Sequence, residues 1–178
     1  MKNNSVTLIG MAGSGKSATG IILAKNLGFK YVDLDELILE TKGISHHDFM
    51  EQNGEIALVD LENKLTLDLN FEKLVLAPPG SIIYSPDAME KIKDNSTVIY
   101  LETDPETIEK RLGDKLYKNG ILRLREKGLK KLMQERALFY SKYADFTFHS
   151  KEQTKYKMAD TIIKVLRKNN KILFDFTS

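Results

Sequence analysis

The sequence predicts an α/β fold built on a parallel sheet. Short β-branched and apolar runs alternate with longer segments of helical period, the first three runs stop at Gly, Asp and Pro, and the composition is that of an ordinary globular chain. Strands separated by helices need crossover connections, and crossovers make neighbouring strands parallel. Hydrophobic residues are 42% and charged residues 29% of the 178, and a chain of this length buries more than half of its unfolded surface without disulfides or a structural metal. A single domain over 1–178 is therefore expected.

Ser5 to Ile9 is apolar and β-branched and runs into Gly10, which reads as a buried strand ending in a tight loop. From Lys16 the period changes. Gly20, Leu23, Ala24 and Leu27 share a helix face, and Gly28 is the stop. Lys30 to Val32 is a second strand, ending at Asp33-Leu34-Asp35. Helical segments follow through Glu40 and from Ser45 to Gln52, and a further helix starts near Gly54 with Leu58, Leu61, Leu65 and Leu69 at helical spacing. Lys73 to Ala77 is a third strand. Pro78-Pro79-Gly80 ends it, because proline lacks the N–H that a central strand needs. Ser85-Pro86 opens a helix, Thr97 to Leu101 is a strand, and Asp104-Pro105 caps a helix through Arg111. Gly113 to Lys127 is rich in charge and lacks an apolar period, as a mobile surface segment would. A helix from Leu129 to Tyr140, a strand at Phe146 to Phe148 and a helix from Tyr156 to Arg167 complete the pattern, leaving a tail at 169–178.

Composition excludes several functions. There is no Cys, so disulfides, thiolate catalysis and Cys-based zinc or iron–sulfur sites are ruled out, and three His make no zinc site. A net charge of +2 with both signs interspersed argues against a nucleic-acid partner. No apolar stretch approaches the ~20 residues that span a bilayer. The N-terminal pattern is not that of a secretory signal, so a cytoplasmic monomer is expected.

Gly10-Met11-Ala12-Gly13-Ser14-Gly15-Lys16-Ser17 fits G-x-x-x-x-G-K-[ST] and lies between a predicted strand and a predicted helix. Gly10, Gly13 and Gly15 let the backbone curl so that successive N–H groups, with those of Ser14 and Ala18, face one anion at a helix N-terminus. Lys16 adds a positive charge at the β- and γ-phosphates, and Ser17 offers a hydroxyl to Mg²⁺. ATP and Mg²⁺ are the expected cofactors. Asp33 and Asp35 sit at the carboxyl end of a strand, where open α/β sheets bind ligands. One can serve the metal and the other can orient an acceptor hydroxyl; the plainer reading is a helix cap. Arg136 falls within the stripe Leu129, Leu132, Met133, Ala137, Tyr140, and an inward Arg needs an anion unless its head snorkels to water. Glu62, seven residues after Glu55, is a candidate partner. His46-His47 lacks metal-ligand spacing and reads as surface or local packing.

These residues resemble the shikimate kinase family over roughly 5–167. The resemblance rests on the Gly-rich loop, on Val32-Asp33-Leu34-Asp35, on Asn53-Gly54-Glu55 with Glu62, and on Arg136-Ala137-Leu138-Phe139-Tyr140 followed by Ala144-Asp145. It implies a three-layer P-loop kinase fold, with a five-stranded parallel sheet flanked by helices, acceptor-binding helices over about 34–70 and a lid over about 113–127. It further implies that Asp35 contacts the acceptor hydroxyl, that Asp33 and Ser17 serve Mg²⁺, and that Arg111 packs against adenine. Lys16 and Asp35 are then the catalytic pair, and Asp35, residue 59, Gly80 and Arg136 face a small-molecule alcohol.

The departures fall in the acceptor half. The family's Gly-Glu-x-x-Phe-Arg ends here in Val59, its Gly-Gly-Gly turn is Pro78-Pro79-Gly80, and its lid Arg-Pro pair aligns with Asn119-Gly120, leaving Arg123 or Arg125 as substitutes. Losing one partner of a desolvated charge pair costs about 2 to 5 kcal/mol. The expectation is an ATP-dependent kinase of this type whose acceptor is not shikimate. The rivals are a shikimate kinase with relocated arginines and a nucleotide-binding regulatory protein without transfer activity.

Overall fold

The computed structural model describes residues 4–118, 120–150 and 153–171. Five strands, β1 (Val6–Ile9), β2 (Lys30–Asp33), β3 (Leu74–Ala77), β4 (Thr97–Glu102) and β5 (Phe146–His149), form one sheet in the order β2-β3-β1-β4-β5. Every pairing is parallel, with Val6 opposite Val75 on one side and Thr97 on the other. The three inner strands are buried on both faces and read as continuous apolar runs, whereas the edge strands β2 and β5 are partly open.

Alternate residues of each strand feed two cores. Val6, Leu8, Val75, Ile99 and Leu101 face α1 (Lys16–Leu27) and α8 (Lys155–Lys168). Ile9, Leu74, Leu76, Val98 and Tyr100 face the opposite layer, which includes α4 (Pro86–Asn95) and α7 (Leu129–Tyr143). Also on the described chain are α2 (Leu34–Lys42), α3 (His46–Asp68), α5 (Pro105–Leu112) and the short α6 (Leu124–Lys127). No helix of the described residues is long and apolar enough to cross a membrane.

The predicted caps are the ones used. Gly28 ends α1 in the left-handed conformation, Asp104 accepts from Thr107 N–H, and Pro86 and Pro105 occupy first-turn positions. The two expected helical segments around Gly54 form α3, interrupted at Gly54 with φ 86° and ψ 166°. The segment 113–127 departs from its reading as a mobile surface piece: Leu116, Leu122 and Leu124 are buried in the core. Three leucines spaced among charges give no helical period, so the pattern concealed an anchored loop. Asn119, residues 151–152 and most of the tail at 169–178 lie outside the described residues.

Gly20 sits where α1 crosses β2, and a Cβ there would lie 2.7 Å from the Tyr31 ring and 3.4 Å from Leu8. Gly20→Ala should therefore lose roughly 1–3 kcal/mol to overpacking against about 1 kcal/mol of helix propensity gained. A lowered urea midpoint is the expected result; an unchanged or raised one would mean that the Tyr31 ring yields freely.

Candidate active site

The order of the sheet puts the carboxyl ends of β2, β3 and β1 side by side, and the loops leaving them line one cavity of about 730 Å³. The Gly10-to-Ser17 loop forms its floor. Gly10 has φ 144°, and a Cβ there would meet the Leu101 carbonyl at 2.7 Å, so no side chain fits. Lys16 Nζ donates to the Gly10 and Met11 carbonyls at 2.9 and 3.0 Å, which fixes its ammonium at the loop. Burial lowers its pKa to about 8, while Asp35 and Asp33 pull it back upward. Gly13, Gly15 and Ala18 line the cavity; Ser14 Oγ is buried without a partner among the described residues.

Asp33 caps α2 and also reaches the phosphate loop. Its Oδ1 accepts from the Asp35 N–H and caps α2, while its Oδ2 accepts from Ser17 Oγ at 2.6 Å and from Tyr31 OH at 3.1 Å. A hydroxyl and a carboxylate side by side at a phosphate loop are hard oxygen donors, the set that holds Mg²⁺ together with phosphate oxygens and water. Arg111 bridges Gly13 O at 3.0 Å and Ser150 O at 2.9 Å, beside the loop.

Asp35 opens onto the cavity from the first turn of α2, and the protein around it raises its pKa by desolvation; His46 and Lys16 act in the opposite direction. Across the same cavity lies Arg136, 1% exposed. Its Nη2 donates to Leu122 O at 2.9 Å and its Nη1 contacts Met11 Sδ at 3.7 Å, while Nε has no partner among the described residues. Gly80 gives it room: a Cβ there would lie 2.9 Å from both Arg136 Nη1 and Tyr140 OH.

The expected Arg136–Glu62 pair does not form. Glu62 is fully buried and accepts from Ser81 Oγ at 2.9 Å on both oxygens and from His46 Nε2 at 2.9 Å. His46 is accordingly not a surface residue but a cavity wall, with Nε2 3.9 Å from Asp35 Oδ1. His47 does fit local packing, against Gly120. The sequence signal for His46 lay in Ser45-x-x-Asp48, a capping pattern that starts α3 at this residue.

Val59 lies outside the cavity lining; it is half-buried on α3, its carbonyl facing Ser85 Oγ at 3.5 Å. Pro78 and Pro79 line the cavity with Gly80 and Ser81. Neither Arg123 nor Arg125 does so. Arg123 pairs with Glu135 at 3.6 Å and stacks on Tyr84, its backbone N–H donates to Glu55 at 2.9 Å, and Arg125 pairs with Glu51 at 3.8 Å. The cation that the 113–127 segment brings to the cavity, among the described residues, is Lys118, which sequence reading passed over. Asn119, aligned with the family's lid arginine, lies outside the described residues.

A phosphate loop, a metal-competent hydroxyl–carboxylate pair and a second carboxylate sharing one cavity belong to the chemistry of phosphoryl transfer, and with this sheet they define a P-loop kinase of small molecules. Known proteins place it more narrowly. The family model described as Shikimate kinase matches residues 12–167, and the chain belongs to that family. It is 32% identical over 165 residues to the shikimate kinase of Persephonella marina, covering 92% of this chain and 99% of that one. The Enterococcus faecalis shikimate kinase is 30% identical over 165 residues, covering 92% and 98%. Among solved structures, shikimate kinase from Acinetobacter baumannii in complex with shikimate matches with a TM-score of 0.83 at 27% identity over 94% of each chain. Mycobacterium tuberculosis APS kinase, in complex with AMPPNP and APS, shares the fold, with a TM-score of 0.63 at 20% identity over 93% and 98%. The chain is thus an ATP-dependent small-molecule phosphotransferase of shikimate kinase type, with ATP and Mg²⁺ as cofactors. None of these likenesses supports the narrower expectation of an acceptor other than shikimate.

Proposed function

We propose that the chain transfers the γ-phosphoryl group of ATP to an alcohol of a small anionic metabolite, with the anion seated on Arg136 and the hydroxyl on Asp35. The observation that carries this is a buried guanidinium without a carboxylate partner among the described residues, across one cavity from a carboxylate. A buried cation in that condition is costly until an anion reaches it. The acceptor oxygen attacks phosphorus, its bond to the γ-phosphorus forms as the β,γ-bridging bond breaks, ADP leaves, and the hydroxyl proton passes to Asp35. Lys16 and Lys118 offset charge on the transferring group, Ser17 and Asp33 hold Mg²⁺, which neutralises phosphate charge when bound, and Arg111 borders the adenine side.

Shikimate is the first acceptor to test, since the relatives bear its name. One observation favours a second reading, a hydroxy acid with fewer polar groups. Pro78 and Pro79, which offer no N–H groups, line the cavity. On this proposal the chain is a monomeric, cytoplasmic enzyme of one kinase domain; its near-balance of charge argues against a nucleic-acid partner, and no described helix is long and apolar enough to cross a membrane. ADP release with Mg²⁺ and ATP should be measured for shikimate and for a panel of small hydroxy acids, amino alcohols, sugars and nucleosides. Turnover on shikimate establishes the first reading, and turnover on another hydroxy acid alone establishes the second. Turnover confined to uncharged alcohols would overturn the anion seat, and ATP binding without any product would favour a regulatory protein.

A further inference from the structure

His46 and Glu62 are separated by 16 residues of α3 yet lie 2.9 Å apart. A straight helix would hold them about 24 Å apart. The break at Gly54, in a conformation that glycine adopts readily, is what brings the first segment of α3 against the second. The contact is therefore built by the fold rather than by local sequence. Ser45 caps the segment through Asp48 N–H and so holds His46 in its first turn.

The chain of contacts continues to the acceptor side. Glu62 is fully buried, with both oxygens engaged by Ser81 Oγ, and His46 is the cation within ion-pair distance of it among the described residues. A carboxylate with that burial requires a counter-charge. The same Nε2 is 3.9 Å from Asp35 Oδ1. Apart from these two carboxylates, the charged group acting on the imidazole is Arg136 from α7; Asp33 and Lys16 act on Asp35, and Glu36, His47 and Lys118 line the same cavity. Burial and Arg136 disfavour the imidazolium, but the Glu62 hydrogen bond and the two carboxylate charges outweigh them, so its pKa lies above 6.5.

We infer that His46 is a positioning residue for phosphoryl transfer: anchored on buried Glu62, its imidazolium holds the Asp35 carboxylate in the orientation that meets the acceptor hydroxyl. This rests on the reading of Asp35 as the acceptor-facing group, and its chain-internal half can be tested without any acceptor. The imidazole of His46 is followed by NMR across pH in the wild type, in Glu62→Gln and in Asp35→Asn, with His47 and His149 as internal references. Each substitution should move the His46 midpoint down by roughly 0.5 pH unit or more, since each removes a neighbouring negative charge. A midpoint indifferent to Asp35→Asn overturns the inference, whatever the acceptor proves to be.

The second arm uses shikimate, or the panel alcohol that turns over. His46→Gln should lower kcat by up to about 100-fold, the scale of a misaligned reacting group, with the KM for ATP near wild type, and should also lower the urea midpoint, because buried Glu62 loses its counter-charge. An unchanged kcat overturns the inference. Equal losses in His46→Gln and in a variant that merely unfolds more easily, such as Gly20→Ala, would reduce His46 to a packing residue. If no alcohol turns over, the function proposed above fails, and the NMR arm still decides whether His46 and Asp35 are coupled.

Discussion

Lys16→Ala is expected to lower kcat for ADP formation by on the order of 10²–10³-fold, the usual cost of removing one preorganised charge from the transition state. The ammonium is fixed by the Gly10 and Met11 carbonyls at the mouth of the loop, so nothing else on α1 can replace it. Its pKa of about 8, lowered chiefly by burial, gives the wild type a pH signature. Only the protonated amine stabilises phosphate charge, so kcat/KM for ATP should fall as pH rises through about 8. In the nucleotide complex the phosphates favour the charged form, so the corresponding fall in kcat should lie at higher pH. Initial rates at saturating and limiting ATP separate the two profiles. Unaltered ADP formation by Lys16→Ala would remove the Gly10-to-Ser17 loop from the chemistry.

The second large effect is expected at Arg136 and has opposite signs for binding and for folding. Arg136→Met keeps most of the side-chain volume and removes the charge. The KM for the acceptor should rise by roughly 30- to several-thousand-fold, corresponding to about 2–5 kcal/mol of a desolvated charge interaction. Stability should hold or rise, because the guanidinium is buried without a carboxylate partner among the described residues and replacing buried charge by well-packed apolar groups is often neutral or stabilising by about 1–4 kcal/mol. Had Glu62 been its partner, the same substitution would strand a buried carboxylate and cost about 3–5 kcal/mol. Denaturant midpoints and acceptor KM values on the same two proteins tell these cases apart; a large loss of stability would sink the account of Arg136 as an anion seat.

What could be read from the sequence is what depends on neighbours along the chain. The strand–loop–helix around Gly10 to Ser17 requires glycines and a lysine at fixed spacing, and the first three strands stop at Gly10, Asp33 and Pro78. Asp33 and Asp35 were legible as a pair because a strand end and a helix start meet there. The acceptor wall was not. Opposite charge makes Glu62 a candidate partner for an inward Arg136, but Ser81, 19 residues on, and His46 hold it instead. The Ser45-x-x-Asp48 cap marks where the helix of His46 starts but not what the imidazole meets, since the turn at Gly54 that makes the contact appears in the sequence as no more than a glycine. The segment 113–127 misled for a related reason: its buried Leu116, Leu122 and Leu124 anchor an irregular loop to the core and follow no regular period.

The two halves of the cavity are also made of different material. The nucleotide side is formed largely by main chain, a curled loop whose geometry admits no side chain at Gly10. The side proposed to take the acceptor is formed by side chains carried on α2, α3, α7 and the Pro78-to-Ser81 turn. Substitutions on those elements can change what is recognised without touching the surface that cradles phosphate. Such a scaffold can drift from one acceptor to another by point replacements while its ability to use ATP is preserved, and laboratory evolution of new acceptors should find its useful positions there and not in the loop.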